Sequence, residues 1–102
     1  MTTTELPVLF RAIDAFGEES QQLMVIEEMS ELTKEISKRF RGEDNVDHIA
    51  EEIADVEIML DQLKLITGTA HRAEWWRIQK LKRLDKKIDE YLEGNVHTER
   101  KE

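Results

Sequence analysis

One pattern of acidic residues occurs twice in the sequence, and the two copies are offset by 24 residues. Glu28 and Glu31 form the first copy, and Glu52 and Asp55 form the second. Carboxylates three residues apart lie on one face of a helix, so two such helices side by side would point four carboxylates at one place. That much negative charge repels itself unless a cation balances it, and carboxylate oxygens suit Mg²⁺ and Mn²⁺. The pattern therefore predicts a divalent metal site.

These residues could also be ordinary solvated helix acids, because 37% of the chain is charged. Two features favour the metal site. Like charges at this spacing destabilise a bare helix, yet the pattern is repeated in the same register. In addition, no Lys or Arg lies between Glu18 and Lys34 or between Arg41 and Lys64, so both copies lie in stretches poor in counter-ions.

The elements that must position these acids are helices. Apolar residues recur at steps of three and four, which is the period of an amphipathic helix, and no segment alternates with period two. The four glycines separate the segments. The predicted helices cover residues 6–16, Glu18–Arg41, Val46–Thr67 and Ala70–Glu93. One short and three long helices with short connections predict an all-α antiparallel helical bundle.

Each long helix carries an apolar stripe that we expect to form the core. The predicted stripes contain Val25, Met29, Leu32, Ile36 and Phe40; Val46, Ile49, Ile53, Val56, Leu60 and Leu63; and Ala73, Trp76 or Trp75, Leu81, Leu84, Ile88 and Tyr91. In both acidic copies, the first acid lies about 100° from the centre of its stripe and the second about 60° further round. A site there would be partly buried, with an open mouth.

Length and composition indicate one domain over residues 1–102, with residues 95–102 as a flexible tail. A hydrophobic fraction of 39% supports a modest core, so we expect oligomerisation to complete the bundle. A net charge of -8 argues against binding of a nucleic-acid polymer.

The cellular context is indicated by what the sequence lacks. The chain has no cysteine, which excludes disulfides, zinc thiolates and thiol nucleophiles. It has no apolar run of membrane-spanning length, and its first residues have no signal-peptide pattern. We therefore expect a cytoplasmic protein without a membrane partner.

The order E-x-x-E, spacer, E-x-x-D resembles the signature of the MazG-like nucleotide pyrophosphohydrolases, an all-α family. The flanking segments Phe16–Glu19, Ile26–Met29, Glu51–Val56 and Lys80–Leu84 are similar to the family as well. The resemblance covers roughly residues 8–92.

The resemblance implies Mg²⁺-dependent hydrolysis of a nucleoside triphosphate to the monophosphate and pyrophosphate, in an enzyme that clears unwanted nucleotides. It implies that the metal ligands are Glu28, Glu31, Glu52 and Asp55, with Mn²⁺ as a possible substitute ion. Glu27 or Glu31 would orient or deprotonate the attacking water. Family members assemble as dimers or tetramers, so a homo-oligomer is implied as well.

Four further residues are candidates for binding the substrate. Lys80 and Arg83 share one face of the last helix and could clamp phosphate oxygens, although solvated surface charge is the simpler interpretation. Trp76 could stack on a nucleobase or pack in a core or an interface. Gln21 could form a hydrogen bond to a base.

Two other functions remain open at this stage. The chain could be a non-catalytic helical interaction or regulatory protein, in which case metal would not change its stability. It could also be an enzyme of the same fold that acts on a phosphoribosyl-nucleotide. A di-iron carboxylate bundle is disfavoured because no Glu-x-x-His occurs.

Overall fold

The computed structural model describes the backbone of residues 1–101 and the side chains of residues 1–95. Four helices are present: α1 (Glu5–Phe16), α2 (Glu18–Phe40), α3 (Val46–Thr67) and α4 (Ala70–Lys101). Residues 1–101 contain no strand. The prediction of an all-α chain with one short and three long helices is thus confirmed, and three of the four helices differ from their predicted bounds by at most one residue at either end.

The fourth helix is longer than predicted. It continues through Gly94 to Lys101, whereas the sequence pattern placed its end near Glu93. A glycine inside a helix costs only about 1 kcal/mol relative to alanine, which good helix formers on both sides can offset. The side chains of residues 96–102 lie outside the described part of the chain, so a flexible tail over residues 95–102 stays a prediction.

The chain divides into two compact units, Met1–Thr69 and Ala70–Glu102, and each is described by itself. The first unit holds α1, α2 and α3, and the second holds α4. Glycines with positive φ stand at the three turns of the first unit. At Gly68 (φ 67°) the left-handed conformation ends α3, and the Gly68 N–H donates to the carbonyl of Lys64. None of the described helices combines the length and apolarity needed to cross a membrane.

Helices α2 and α3 pack against each other in antiparallel directions. Gln21, near the start of α2, is hydrogen-bonded to Gln62, near the end of α3. Asn45, at the start of α3, is hydrogen-bonded to Glu35, near the end of α2. Helix α1 contacts both of them. This pairing places the middle of α2, which carries the first acidic motif, beside the middle of α3, which carries the second.

The core of the first unit is small and includes only one edge of the predicted apolar stripes. Its buried apolar side chains are Leu9, Ile13, Val25 and Met59. Met29 and Ile53, the expected centres of the stripes, are 50% and 42% exposed. The two helices meet along the edges of their stripes nearest the acids, so the periodicity was correct but the stripe centres are not covered by the three helices of the first unit.

The outer face of the α2/α3 pair is therefore apolar and exposed. We use this name for the exposed side chains Ile26, Met29, Ile36, Phe40, Val46, Ile53 and Leu60. The stripe of α4 is exposed as well, at Trp76, Leu81, Leu84, Ile88 and Tyr91. None of the described side chains is less than 2% exposed.

Candidate metal centre

Three carboxylates from two helices converge between the middles of α2 and α3. Glu28 extends from α2, and Glu52 and Asp55 extend from α3. Each has a carboxylate oxygen within 4.8 Å of the other two, and each side chain is half-buried. We call these residues the three-acid group. Their positions correspond to three of the four carboxylates that the repeated motif predicted.

Glu52 is the member of this group with the most perturbed environment. Burial raises the pKa of its carboxyl group above the ordinary value, and the neighbouring charges of Glu28, Asp55 and Glu31 raise it further. Its Oε2 atom is buried and has no hydrogen-bond partner. A buried carboxylate oxygen without a donor is costly, and a cation at this position would remove that cost.

The donor set fits a hard divalent cation. All three side chains offer oxygen, which Mg²⁺ and Mn²⁺ prefer over the softer nitrogen and sulfur ligands. The two helices supply them in a ratio of one to two, so a bound ion would tie α2 to α3. The unpartnered Glu52 oxygen is the observation on which this fit depends.

Glu31, the fourth predicted ligand, does not belong to the three-acid group. Its side chain is exposed and lies 3.7 Å from the Lys34 ammonium, one turn along the same helix. It is near enough for its charge to contribute to the raised pKa of Glu52. A role for Glu31 as a metal ligand stays a prediction.

Glu27, predicted as a possible base, is not part of the three-acid group. Its exposed side chain lines an open cleft of about 570 Å³ that also borders Phe16, Gly17 and Leu23. Its role in activating water stays a prediction.

Gln21 is buried rather than presented to solvent. Its Nε2 donates to Oε1 of Gln62 over 2.6 Å, and the Gln62 Nε2 lies 3.7 Å from the sulfur of Met59. The predicted hydrogen bond from Gln21 to a nucleobase stays a prediction, although its amide already has a partner in the fold.

Trp76, Lys80 and Arg83 lie together on one face of α4, in the second unit. The Arg83 guanidinium carbon is 5.8 Å from the centroid of the Trp76 ring, which is a cation–π distance. Lys80 and Arg83 line a groove of about 530 Å³ that also borders Lys86 and Lys87. A basic groove of this kind can hold an anion, but substrate binding by these residues stays a prediction.

Sequence reasoning missed the polar contact at the far end of the α2/α3 pair. The Asn45 Nδ2 donates to the Glu35 carbonyl over 2.8 Å and to the Glu35 Oε2 over 2.6 Å. This hydrogen bond to the carboxylate lowers the pKa of Glu35, against the opposing effect of burial, and Lys38 assists. The available signal was spacing, because Asn45 precedes Glu52 by seven residues and Gln62 follows Asp55 by seven.

Comparison with protein-family models, with curated proteins and with solved structures finds no match to this chain. The interpretation of the site therefore depends on its own geometry. A half-buried group of three carboxylates, with one oxygen unsatisfied, is suited to holding a divalent cation. A divalent cation held there could assist hydrolytic chemistry, including reactions at phosphate.

Proposed function

We propose that the protein is a metal-dependent nucleoside triphosphate pyrophosphohydrolase of the MazG-like kind. It would hydrolyse a ribo- or deoxyribonucleoside triphosphate to the monophosphate and pyrophosphate, and so remove unwanted nucleotides from the pool. The observation that carries the proposal is the three-acid group with its unpartnered Glu52 oxygen. The resemblance of the repeated acidic motif to that family supports the choice of substrate.

In this proposal Glu28, Glu52 and Asp55 hold Mg²⁺, or Mn²⁺ in its place. The bound ion supplies neutralisation of the triphosphate oxygens and a lowered pKa for bound water. Glu31 can turn toward the same place, because its exposed contact with Lys34 is weak. Glu27 or Glu31 would take the proton of the attacking water on a carboxylate oxygen.

We also propose that a second copy of the chain covers the outer face of the α2/α3 pair, giving a dimer or a tetramer. Val46, Ile53 and Leu60 recur at seven-residue spacing along this face, the repeat that packs helices side by side. Contiguous exposed apolar residues of this kind are typical of protein–protein interfaces. Two α2/α3 pairs joined through them would form a four-helix bundle with a continuous core.

The test of the reaction is pyrophosphate release from canonical and modified nucleoside triphosphates, in both sugar series, with Mg²⁺, Mn²⁺ or EDTA. We expect metal-dependent release that falls by about 100-fold or more in the variant Glu52→Gln, since a metal contributes several kcal/mol to such a transition state. The matched control is Glu51→Gln, which removes an exposed carboxylate one residue away and should leave the rate near that of the unaltered protein.

Absence of pyrophosphate release from every nucleotide would contradict the proposed reaction. A phosphoribosyl-nucleotide belongs in the same panel, because release from that substrate alone would assign the site to the related pyrophosphatase activity. If metal also fails to raise the melting temperature, a non-catalytic helical interaction protein becomes the better interpretation.

A further inference from the structure

Two polar contacts link α2 and α3, one on each side of the three-acid group; the first is buried and the second is partly buried. In one, the Gln21 amide donates to the Gln62 amide over 2.6 Å, and the two residues are 6% and 4% exposed. In the other, the Asn45 amide donates twice to Glu35, and Asn45 is 7% exposed. Buried polar contacts of this kind are directional, whereas apolar packing is not.

Each residue of the first contact lies seven positions from an acid of the three-acid group on the same helix. Gln21 precedes Glu28 by seven residues on α2, and Gln62 follows Asp55 by seven residues on α3. Seven residues are about two turns, so each amide lies on the same face as its acid, about 10 Å along the helix. In an antiparallel pair, the Gln21–Gln62 contact therefore sets Glu28 opposite Asp55.

The second contact repeats this relation at the other end. Glu35 follows Glu28 by seven residues, and Asn45 precedes Glu52 by seven. The contact between Asn45 and Glu35 therefore sets Glu28 opposite Glu52. The two contacts together bracket the three-acid group at about two turns on either side.

The apolar residues alone do not specify this alignment. Ile49, Val56 and Leu63 also recur at seven-residue spacing, so a shift of the helices would exchange one apolar contact for another. The same shift would orphan the buried amides of Gln21 and Gln62, which is costly. A single buried polar contact is known to fix the register of paired helices in this way.

We infer that Gln21 and Gln62 are positioning residues for the metal site: their hydrogen bond fixes the α2/α3 register that brings Glu28 to Glu52 and Asp55. This inference deepens the proposed function, because it rests on the three-acid group being a metal site. It predicts an effect on metal affinity at unchanged fold stability, which a merely structural contact would not produce.

The test is the double variant Gln21→Met/Gln62→Met, in which two side chains of similar length replace both amides and leave neither unsatisfied. We expect a melting temperature close to that of the unaltered protein in metal-free buffer. We expect the affinity for Mn²⁺, measured by titration calorimetry, to fall about 10-fold or more, the usual effect of removing a group that orients metal ligands. The control Gln22→Met changes the exposed neighbour on α2 and should bind Mn²⁺ normally.

A second variant covers the case in which the double variant does not fold. Gln21→Leu/Gln62→Leu also removes both amides and leaves neither unsatisfied, with smaller apolar side chains in their place, and it should show the same loss of Mn²⁺ affinity. Mn²⁺ affinity within about twofold of the unaltered protein, in a folded variant, would overturn the inference. A loss of Mn²⁺ affinity accompanied by a clear fall in the melting temperature in metal-free buffer would overturn it too, because a contact that only stabilises the fold would give that result.

Failure of the proposed reaction would look different. If the unaltered protein binds Mn²⁺ but releases no pyrophosphate, the substrate assignment fails. The Mn²⁺ titration of the double variant then still tests the positioning role. If pyrophosphate release is retained at full rate in the double variant, the positioning role fails and the reaction stands. A protein that binds no Mn²⁺ at all would overturn the inference, because there would be no site to position.

Discussion

Ionisation of the Glu52 carboxyl group opposes folding when no cation balances its charge. The unfolded carboxyl group titrates near its ordinary pKa of 4.5, and the folded one titrates higher. A carboxyl group whose pKa is raised by folding stabilises the protein at a pH below the unfolded value, and this contribution is lost as the pH rises through the folded value. At neutral pH and without metal, the ionised Glu52 therefore weakens the fold that holds it.

The variant Glu52→Gln should consequently melt at a higher temperature than the unaltered protein at neutral pH in the presence of EDTA. The difference should shrink as the pH falls through the raised pKa of folded Glu52 and should vanish below about 4.5, where the carboxyl group is neutral in both the folded and the unfolded protein. Thermal denaturation followed by circular dichroism over this pH range measures it. Glu51→Gln, which removes an exposed carboxylate one residue away, serves as the control. A lower melting temperature for Glu52→Gln at neutral pH would mean that Glu52 is stabilised by a contact other than a metal ion.

Asn45 should contribute most to the stability of the fold when Glu35 is ionised. Because its hydrogen bond lowers the pKa of Glu35, the stabilisation is present above the ordinary pKa of 4.5 and is lost as the pH falls through the folded value. Asn45→Ala should therefore lower the melting temperature by several degrees at neutral pH and by much less near pH 3. The same substitution at exposed Asn95 is the control. A pH-independent difference would show that Asn45 acts through its bond to the Glu35 carbonyl alone.

The sequence predicted the acidic residues of the site better than the amide residues that lie between α2 and α3. Carboxylates at three-residue spacing in two copies are visible in one dimension, and Glu28, Glu52 and Asp55 do meet. The buried roles of Gln62 and Asn45 were not visible, because amides are common on helix surfaces and only the packing of α2 against α3 shows which of them are covered. Glu31 lies outside the group, with its exposed carboxylate 3.7 Å from the ammonium of Lys34.

Among the helices, boundaries were easier to predict than burial. Gly17 and Gly68 end helices because each adopts a positive φ that other residues disfavour, and this property belongs to the residue itself. Burial depends on what covers a face. The stripes centred on Met29 and Ile53 have the period of a core, but period alone does not say whether the covering surface comes from the same chain.

A charge placed on the outer face of the α2/α3 pair would test whether that face is an interface. Ile53→Glu would place a carboxylate inside the proposed interface, at a cost of several kcal/mol, and should raise the dissociation constant of the oligomer by about 100-fold or more. Light scattering coupled to size-exclusion chromatography at several concentrations measures the mass. The matched control is Ile58→Glu, on the same helix and 50% exposed. If Ile58→Glu dissociates the oligomer and Ile53→Glu does not, the interface lies on the other side of α3, where Ile58 borders a groove with Val8.

Across the first unit, negative charge is strongly in excess. Residues 1–69 contain sixteen Asp and Glu and six Lys and Arg. Any salt should relieve part of this repulsion by screening, whereas a bound divalent ion adds stabilisation of about 2.7 kcal/mol at a concentration 100 times its dissociation constant. Mg²⁺ should therefore raise the melting temperature more than NaCl at matched ionic strength. Equal shifts in melting temperature for the two salts would argue against a specific site. So would an additional shift with Mg²⁺ that persists in the variant Glu52→Gln.

The thin core has a consequence for how the chain reaches its folded form. No described side chain is less than 2% exposed, so much of the apolar surface that could drive folding is left uncovered among the described residues. Where folding and association are coupled, the melting temperature depends on protein concentration, and dilution alone shifts the equilibrium toward the unfolded chain. Newly made chains would then depend on encounter with one another to escape proteolysis. The amount of active protein in a cell would rise more steeply than its rate of synthesis.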